Sequence, residues 1–151
     1  AAGEAFDKVA RVLGLGYPGG PGVDRAARGG APEAVPFKRV LLARESLDFS
    51  FSGLKTGVLN YLNIQKLKGA PVPVADVAAS FQQSVVDVLV AKAMLAVEQT
   101  GRDRLALAGG VAANSRLRAA LQEACDARGI RLYRPAPLLC TDNAAMISCA
   151  A

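Results

Sequence analysis

The chain has 151 residues, of which 52% are hydrophobic and 21% charged, and this composition predicts one globular domain rather than a disordered chain. A net charge of +5 permits a polyanionic partner such as nucleic acid, but Lys and Arg are spread along the sequence rather than grouped. There is no histidine, which excludes a Ser-His-Asp triad, a Cys-His pair or a histidine-rich zinc site built from this chain alone.

The cysteine content and the hydropathy of the sequence indicate the cellular compartment of the protein. The three cysteines have no CxxC spacing, so we expect free thiols in a reducing cytoplasm. The most apolar stretch, residues 84–95, contains Asp87 and Lys92, so we expect no membrane span and no membrane partner. One helical pattern includes the first residues and another includes the last, which predicts that both ends are internal to a longer protein.

Helical patterns dominate residues 1–101. The first carries apolar residues at helical spacing, namely Phe6, Val9, Ala10 and Leu13. A turn-rich loop over 16–22 leads to a short helix over 23–28. A short strand over 40–42, a helix over 52–66 with Ser52 as its N-cap, and a long helix from Pro73 to Thr100 complete this part.

Strands and helices alternate over residues 102–151. We predict a strand over 105–108, a helix from Asn114 or Ser115 to Arg128, and a second strand over 131–133. A final helix, capped by Asp142 or Thr141, follows. This order predicts an α/β layer domain.

A pair of glycines joins the first of these strands to its helix. Gly109 and Gly110 remove Cβ atoms where a ligand could approach the backbone, and a helix start offers free N–H groups to an anion. The turn is therefore a candidate nucleotide cradle, with a tight strand-to-helix turn as the plain alternative. Asn114, just beyond it, suits either a helix cap or recognition of a base or ribose.

Carboxylates near turns are the other candidates. Asp7 has the spacing for an ion pair with Arg11, as Glu4 has with Lys8. Gly20 lies in a turn that either requires a positive φ or brings backbone close to a ribose or phosphate. Asp24, in the first turn of the short helix, either complements the helix dipole or accepts from ribose hydroxyls. Asp142 is either a helix cap or one hard oxygen ligand for a divalent metal.

Five segments form an ordered set along the chain. They are Ala-Gly-Glu-Ala-Phe-Asp-Lys at 2–8, Tyr-Pro-Gly-Gly-Pro at 17–21, Asp-Phe-Ser-Phe-Ser-Gly-Leu-Lys-Thr at 48–56, Ala-Gly-Gly-Val-Ala-Ala-Asn at 108–114, and Cys-Thr-Asp-Asn-Ala-Ala-Met-Ile at 140–147. Together they resemble the bacterial TsaD (Gcp) family. The resemblance implies an actin-like, Hsp70-like ATPase fold, related to ribonuclease H, of which the chain is a partial second (C-terminal) lobe with a helical insertion.

The resemblance also implies an activity. Family members transfer threonylcarbamoyl from threonylcarbamoyl-adenylate to N6 of the adenosine beside the anticodon in tRNA. Position by position, Asp7, Gly20, Asp24 and Asn114 match the contacts to the adenylate, with Gly109 and Gly110 as backbone candidates. The resemblance suggests that an iron or zinc ion polarises the transferred group, and Asp142 matches its carboxylate ligand.

Further expectations follow from the same resemblance. The remaining metal ligands are two histidines of a first lobe that this chain lacks, and the ligand is ATP or threonylcarbamoyl-adenylate. Partners would be tRNA, a paralogous actin-like protein and a P-loop ATPase. Lys55 and the Phe-Ser segment before it would line the cleft or the tRNA path, or simply form a solvated helix start. The alternatives are the metallopeptidase of an older family name, a fragment that only binds nucleotide, or an actin-like kinase.

Overall fold

A computed structural model describes residues 1–41 and 45–150. Over these residues the fold is mostly helical, with one small parallel sheet. The elements are α1 (Ala2–Val12), α2 (Gly19–Ala27), α3 (Ser52–Leu67), α4 (Val74–Thr100), β1 (Arg104–Ala106), α5 (Ser115–Asp126), β2 (Arg131–Tyr133) and α6 (Ala144–Ala150), with 3₁₀ turns at Gly110–Ala113 and Pro137–Leu139.

Helix α2 begins earlier than the sequence predicts. The turn-rich loop expected over 16–22 is helical from Gly19, and neither Gly19 nor Gly20 has a positive φ. Pro21 is tolerated in the first turn because its missing N–H has no partner there in any helix. The Asp7 carboxylate accepts the Gly19 N–H at 2.8 Å and so supplies the cap that no residue of the loop provides.

Close packing of α1 on α2 requires Gly19. A Cβ at this position would lie 2.5 Å from Cα of Asp7 and 2.8 Å from Cβ of Ala10, distances that real Cβ atoms do not adopt. Gly20, one residue on, has no atom within 4 Å of its Cβ position apart from its chain neighbours and the nearby backbone of its own helix. The two adjacent glycines therefore have different roles, one between helices and one facing open space.

Helices α3 and α4 confirm the two predicted helices, but the start of α3 and the predicted strand before it are corrected. Ser52 is the first helical residue of α3 and makes no capping hydrogen bond, because the backbone enters the helix only after Phe51 (φ −112°, ψ 1°). The prediction that Ser52 is the N-cap is therefore wrong. Val40 and Leu41 are not in a strand, and Leu42, the last residue of that predicted strand, lies outside the described residues.

The main core forms where α1, α2, α3 and α4 meet. Phe6 of α1 and Phe81 of α4 are almost fully buried and pack edge to face, with ring centroids 5.2 Å apart. Val85 and Val88 continue the buried stripe of α4, as its apolar spacing predicts. Helix α4 thus forms the centre of the fold.

Helix α4 also meets the length and hydropathy of a membrane span, contrary to the expectation that no segment does. However, 61% of its apolar window is buried inside the protein. Burial of this kind is typical of a core helix, whose apolar side chains pack against neighbouring helices.

The strand-helix part has a smaller buried core than the helical part. β1 and β2 pair in parallel, with Leu105 beside Leu132, and α5 connects them. β1 is shorter than predicted, although the Leu107 N–H still donates to the Tyr133 carbonyl at 2.8 Å. The sheet covers a second core cluster that contains Met94, Leu121, Cys125 and Ile130.

Two helix boundaries in this part depend on single side chains. The Asn114 Oδ1 atom accepts the Leu117 N–H at 2.9 Å, which starts α5 at Ser115 as predicted. At α6 the cap is Asn143, whose Oδ1 accepts the Met146 N–H at 3.2 Å. The prediction of Asp142 or Thr141 as this cap is wrong because Asn143 is the residue directly before the first helical position.

Candidate functional site

A pocket of about 640 Å³ lies between α1, α2 and the 3₁₀ turn that precedes α5. Its size is in the range of small-molecule sites. Its lining residues come from four segments and are Gly3, Phe6, Asp7, Pro18, Gly20, Pro21, Asp24, Arg25, Arg28, Gly110, Val111, Ala113, Asn114 and Thr141. The structure thus brings together Asp7, Gly20, Asp24, Gly110 and Asn114 of the predicted site, whereas Gly109 and Asp142 are not in its lining.

Asp7 lies at the junction of α1 and α2. Its Oδ1 atom accepts the Gly19 N–H, so the carboxylate lies at the positive end of α2 rather than pairing with Arg11. The Glu4–Lys8 pair, with the same spacing, does form at 2.5 Å. Asp7 therefore fixes the first turn of α2, which carries Gly20 into the pocket.

Asp24 occupies the second turn of α2, not the first turn predicted. Its Oδ1 atom accepts from the Ser115 hydroxyl at 2.7 Å and lies 3.5 Å from Nδ2 of Asn114. Its Oδ2 atom lies 3.7 Å from the exposed Arg28 guanidinium, one helical turn later. Oδ1 of Asp24 is therefore held by Ser115 and Asn114, whereas Oδ2 has only the longer contact with Arg28.

The glycine pair has the geometry of a sharp turn. Gly109 has φ +88°, a conformation that favours glycine, and the chain then makes one 3₁₀ turn before Asn114. Gly110 faces the pocket beside Thr141. The 3₁₀ turn, which begins at Gly110, was not predicted, because four residues are too few to show a helical spacing of apolar side chains.

Arg118 ties the glycine turn to the segment before α6. Its guanidinium donates to the Ala112 carbonyl and to the Pro135 carbonyl, each at 3.0 Å. This double contact fixes the distance between the 3₁₀ turn and residues 135–141, which bring Thr141 to the pocket. Sequence reasoning missed Arg118, since a single arginine within a helix reads as a solvated side chain.

Charges of both signs line the pocket. Asp7 and Asp24 are oxygen acceptors that suit hydroxyl groups, whereas Arg25 and Arg28 of α2 suit an anionic group. Phe6, Pro18 and Val111 supply apolar surface for a planar ring. A ligand with an apolar ring, hydroxyls and a single anionic group matches this lining.

Asp142 is not among the residues that line the pocket. It is exposed, and its neighbour Thr141 is the residue that reaches the pocket. Among residues 1–41 and 45–150, no group of three His, Cys, Asp or Glu side chains lies close enough to hold a metal ion. A lone exposed carboxylate does not fit a complete metal centre, so a metal at Asp142 would need ligands from outside this chain.

Lys55 and the Phe-Ser segment are not in the pocket lining. Lys55 lies 3.5 Å from Glu4, which also binds Lys8. The hydrogen bond from Lys8, followed by the charge of Lys55, lowers the pKa of the exposed Glu4 to about 2. Phe49 is half-exposed and stacks on the buried Phe51 with centroids 6.1 Å apart. The Lys55 side chain is 23% exposed and paired with Glu4, and its role, along the cleft or tRNA path or at a solvated helix start, stays a prediction.

The comparison with known proteins agrees with the resemblance. The model of the TsaD family, described as tRNA N6-adenosine threonylcarbamoyltransferase, matches residues 1–149. The chain therefore belongs to the TsaD family, whose members have an actin-like fold.

Particular relatives carry the same name. A tRNA N6-adenosine threonylcarbamoyltransferase of Desulfitobacterium hafniense is 60% identical over 99% of the chain, and one of Moorella thermoacetica is 58% identical over the whole of it. One of Clostridium botulinum is 56% identical. The chain spans 44% of the length of each of these relatives. Their names favour a transferase over the peptidase of the alternative reading.

Proposed function

We propose that this chain forms one wall of the adenylate site in a tRNA N6-adenosine threonylcarbamoyltransferase, as a partial C-terminal lobe of an actin-like enzyme. The observation that supports the proposal is that Asp7, Gly20, Asp24 and Asn114, which are distant in sequence, line the same pocket. Family membership over residues 1–149 and relatives named for this activity support it.

The pocket lining supports a specific division of roles. The Oδ2 atom of Asp24 is the acceptor best placed for ribose hydroxyls, because Oδ1 is already held by Ser115. Gly20 lets the ligand approach the α2 backbone, since its Cβ position is open. Arg25 and Arg28 would offset the negative charge that a phosphate adds beside two aspartates.

Catalysis in this proposal depends on position and electrostatics rather than on a nucleophilic side chain. The adenosine N6 amine of tRNA forms a bond to the carbonyl carbon of the threonylcarbamoyl group. The bond from that carbon to the phosphate oxygen breaks, AMP leaves with the electron pair, and N6 loses a proton. The contribution of this chain is to hold the leaving adenylate.

The metal is a separate part of the proposal. Asp142 would supply one carboxylate ligand to an iron or zinc ion, with the remaining ligands provided from outside residues 1–151. The hard carboxylate oxygen and its place one residue after Thr141 support this role. An actin-like partner protein, a P-loop ATPase and a cytoplasmic location remain predictions from the family resemblance.

The proposal is tested by tRNA modification with the intact protein. We expect Asn114→Ala and Asp142→Ala each to lower the yield of threonylcarbamoyladenosine at least tenfold, since the first removes an amide that lines the pocket and the second removes the proposed metal ligand. Asn60→Ala and Asp103→Ala are matched controls at exposed positions and should modify tRNA normally. Near-normal modification by both site variants would contradict the site assignment.

Calorimetry with AMP separates binding from transfer. If the pocket needs a second wall, the intact protein will bind AMP and a fragment of residues 1–151 will not. Binding by the fragment with unchanged affinity would instead favour a self-sufficient nucleotide-binding module.

A further inference from the structure

The side-chain amide of Asn114 has a defined orientation. Its Oδ1 atom accepts the Leu117 N–H at 2.9 Å, and its Nδ2 atom donates to Oε1 of Gln82 at 2.8 Å. Nδ2 also lies 3.5 Å from Oδ1 of Asp24. The amide is therefore placed between the start of α5, the core helix α4 and the pocket carboxylate.

The backbone determines which way this amide points. A rotation by 180° would bring the Asn114 NH₂ group against the Leu117 N–H, which is a donor facing a donor. A joint rotation of Asn114 and Gln82 would restore their mutual hydrogen bond but would leave the Leu117 N–H without its acceptor. Both amides are more than nine-tenths buried, so such a loss is not compensated by water.

Gln82 does not itself line the pocket, yet it connects the most buried helix to the pocket. Its Oε1 accepts one Nδ2 proton of Asn114, and the second Nδ2 proton is left on the side of Asp24. Ser115, adjacent to Asn114, then holds the same Asp24 oxygen at 2.7 Å. The chain of contacts runs from Gln82 to Asn114 to Asp24.

We propose that Gln82 is a positioning residue of the ligand site, which fixes the Asn114 amide and through it the Asp24 carboxylate. This inference rests on the proposed adenylate site. A site whose polar groups are held before the ligand arrives loses less entropy on binding and therefore binds more tightly.

The neighbouring Gln83 provides a matched control. Its Oε1 accepts from Nε of Arg116 at 2.8 Å and its Nε2 donates to Asp87 at 2.6 Å, so both ends of its amide are bonded, as one end of the Gln82 amide is to Asn114. It does not contact Asn114 or Asp24 in these hydrogen bonds. Replacing Gln83 therefore perturbs the same helix without disturbing the pocket.

The experiment measures AMP affinity of the intact protein by calorimetry. Gln82→Met keeps the approximate volume but removes the acceptor, and we expect it to weaken AMP binding about tenfold, the loss typical of one buried hydrogen bond. Gln82→Glu keeps an oxygen acceptor but buries a carboxyl group near Asp24, so it should bind within about threefold of wild type only at about pH 6, where burial keeps that carboxyl protonated. Gln83→Met should leave affinity unchanged.

NMR of the Asn114 side chain gives a second readout. In the wild-type protein the two Nδ2 protons should exchange with solvent at different rates, a result that requires no variant to fold. The slower proton should exchange faster in Gln82→Met and remain slow in Gln83→Met.

The outcomes are distinct. Wild-type affinity in Gln82→Met, or equal losses in Gln82→Met and Gln82→Glu at about pH 6, would overturn the positioning role, as would two equally fast Nδ2 protons in the wild type. If the wild-type protein does not bind AMP, the proposed function fails, whereas an Nδ2 proton of Asn114 that exchanges much more slowly than those of the exposed Asn60 would show that the amide is nevertheless held.

Discussion

The helical part and the strand-helix part of this chain differ in how their cores are built. α1, α2, α3 and α4 share one large buried cluster, in which Phe6, Val23, Val58 and Phe81 are almost inaccessible. β1, β2 and α5 cover a much smaller cluster around Cys125. The pocket takes Asp7 and Asp24 from the first part and Asn114 and Thr141 from the second. The shape of the pocket thus depends on the less buried part staying in place on the more buried one.

The largest expected effect comes from the helical core. Phe81→Ala removes a fully buried ring from its contact with Phe6 and should cost about 3–5 kcal/mol in the free energy of unfolding. Leu121→Ala should cost less, about 2–3 kcal/mol, because it removes a smaller side chain from a smaller buried cluster. Urea denaturation of the intact protein measures both losses, and a larger loss for Leu121→Ala would reverse the comparison.

The two adjacent glycines of α2 provide a finer test. Gly19→Ala places a Cβ 2.5 Å from Cα of Asp7 and should destabilise the fold by about 1–3 kcal/mol by forcing α1 and α2 apart. Gly20→Ala meets no atom outside its own helix within 4 Å, but Pro21 disfavours a helical conformation for a preceding residue that has a Cβ, so the net change should be within about 0.5 kcal/mol. Thermal and urea unfolding distinguish the two, and equal losses would show that Gly19 does not set the helix spacing.

Asn114 and Asn143 are N-caps in differently buried surroundings. Asn114→Ala should cost about 1–2 kcal/mol of stability, because it removes both the cap of α5 and the buried bond to Gln82. Asn143→Ala, at the exposed α6, should cost about 0.5 kcal/mol. Parallel urea titrations test this order, and the reverse order would mean that α6 is more firmly packed than its exposure indicates.

The smallest effect concerns acid stability near the start of α1. Because Lys8 and Lys55 lower the pKa of Glu4 from 4.5 to about 2, the folded state binds this proton less readily than the unfolded state. The contribution is present above pH 4.5 and is lost as the pH falls toward 2. Glu4→Gln should flatten the stability profile in that window, and added salt should do the same because the pair is exposed. An unchanged profile in low salt would contradict the pairing.

Much of the fold followed from local patterns. The apolar stripe of α4, the strand over 131–133 and the Asn114 cap are each determined by residues close in sequence. The start of α2 was missed because its stabilising group, Asp7, lies twelve residues earlier. Gly-Gly-Pro-Gly read alone predicts a turn, and only the tertiary contact makes it a helix.

The site was only partly accessible from the sequence. The family resemblance named Asp7, Gly20, Asp24 and Asn114, and the structure adds that they share one pocket. Their ligand roles stay predictions. Gln82 and Ser115 were missed since a polar residue on a helix gives no sign of its partner 32 or 91 positions away. The available signal for Gln82 was a glutamine on the mostly apolar buried side of α4.

The central claim is that Asp24 binds the ligand at this pocket, and AMP titration of the intact protein tests it most directly. Asp24→Ala should weaken AMP binding about 10- to 100-fold, the loss expected for hydrogen bonds to a charged group. Asp126→Ala, which removes an exposed carboxylate bound to Gln122, should bind AMP like the wild type. Equal affinity in the wild type and Asp24→Ala would contradict the account.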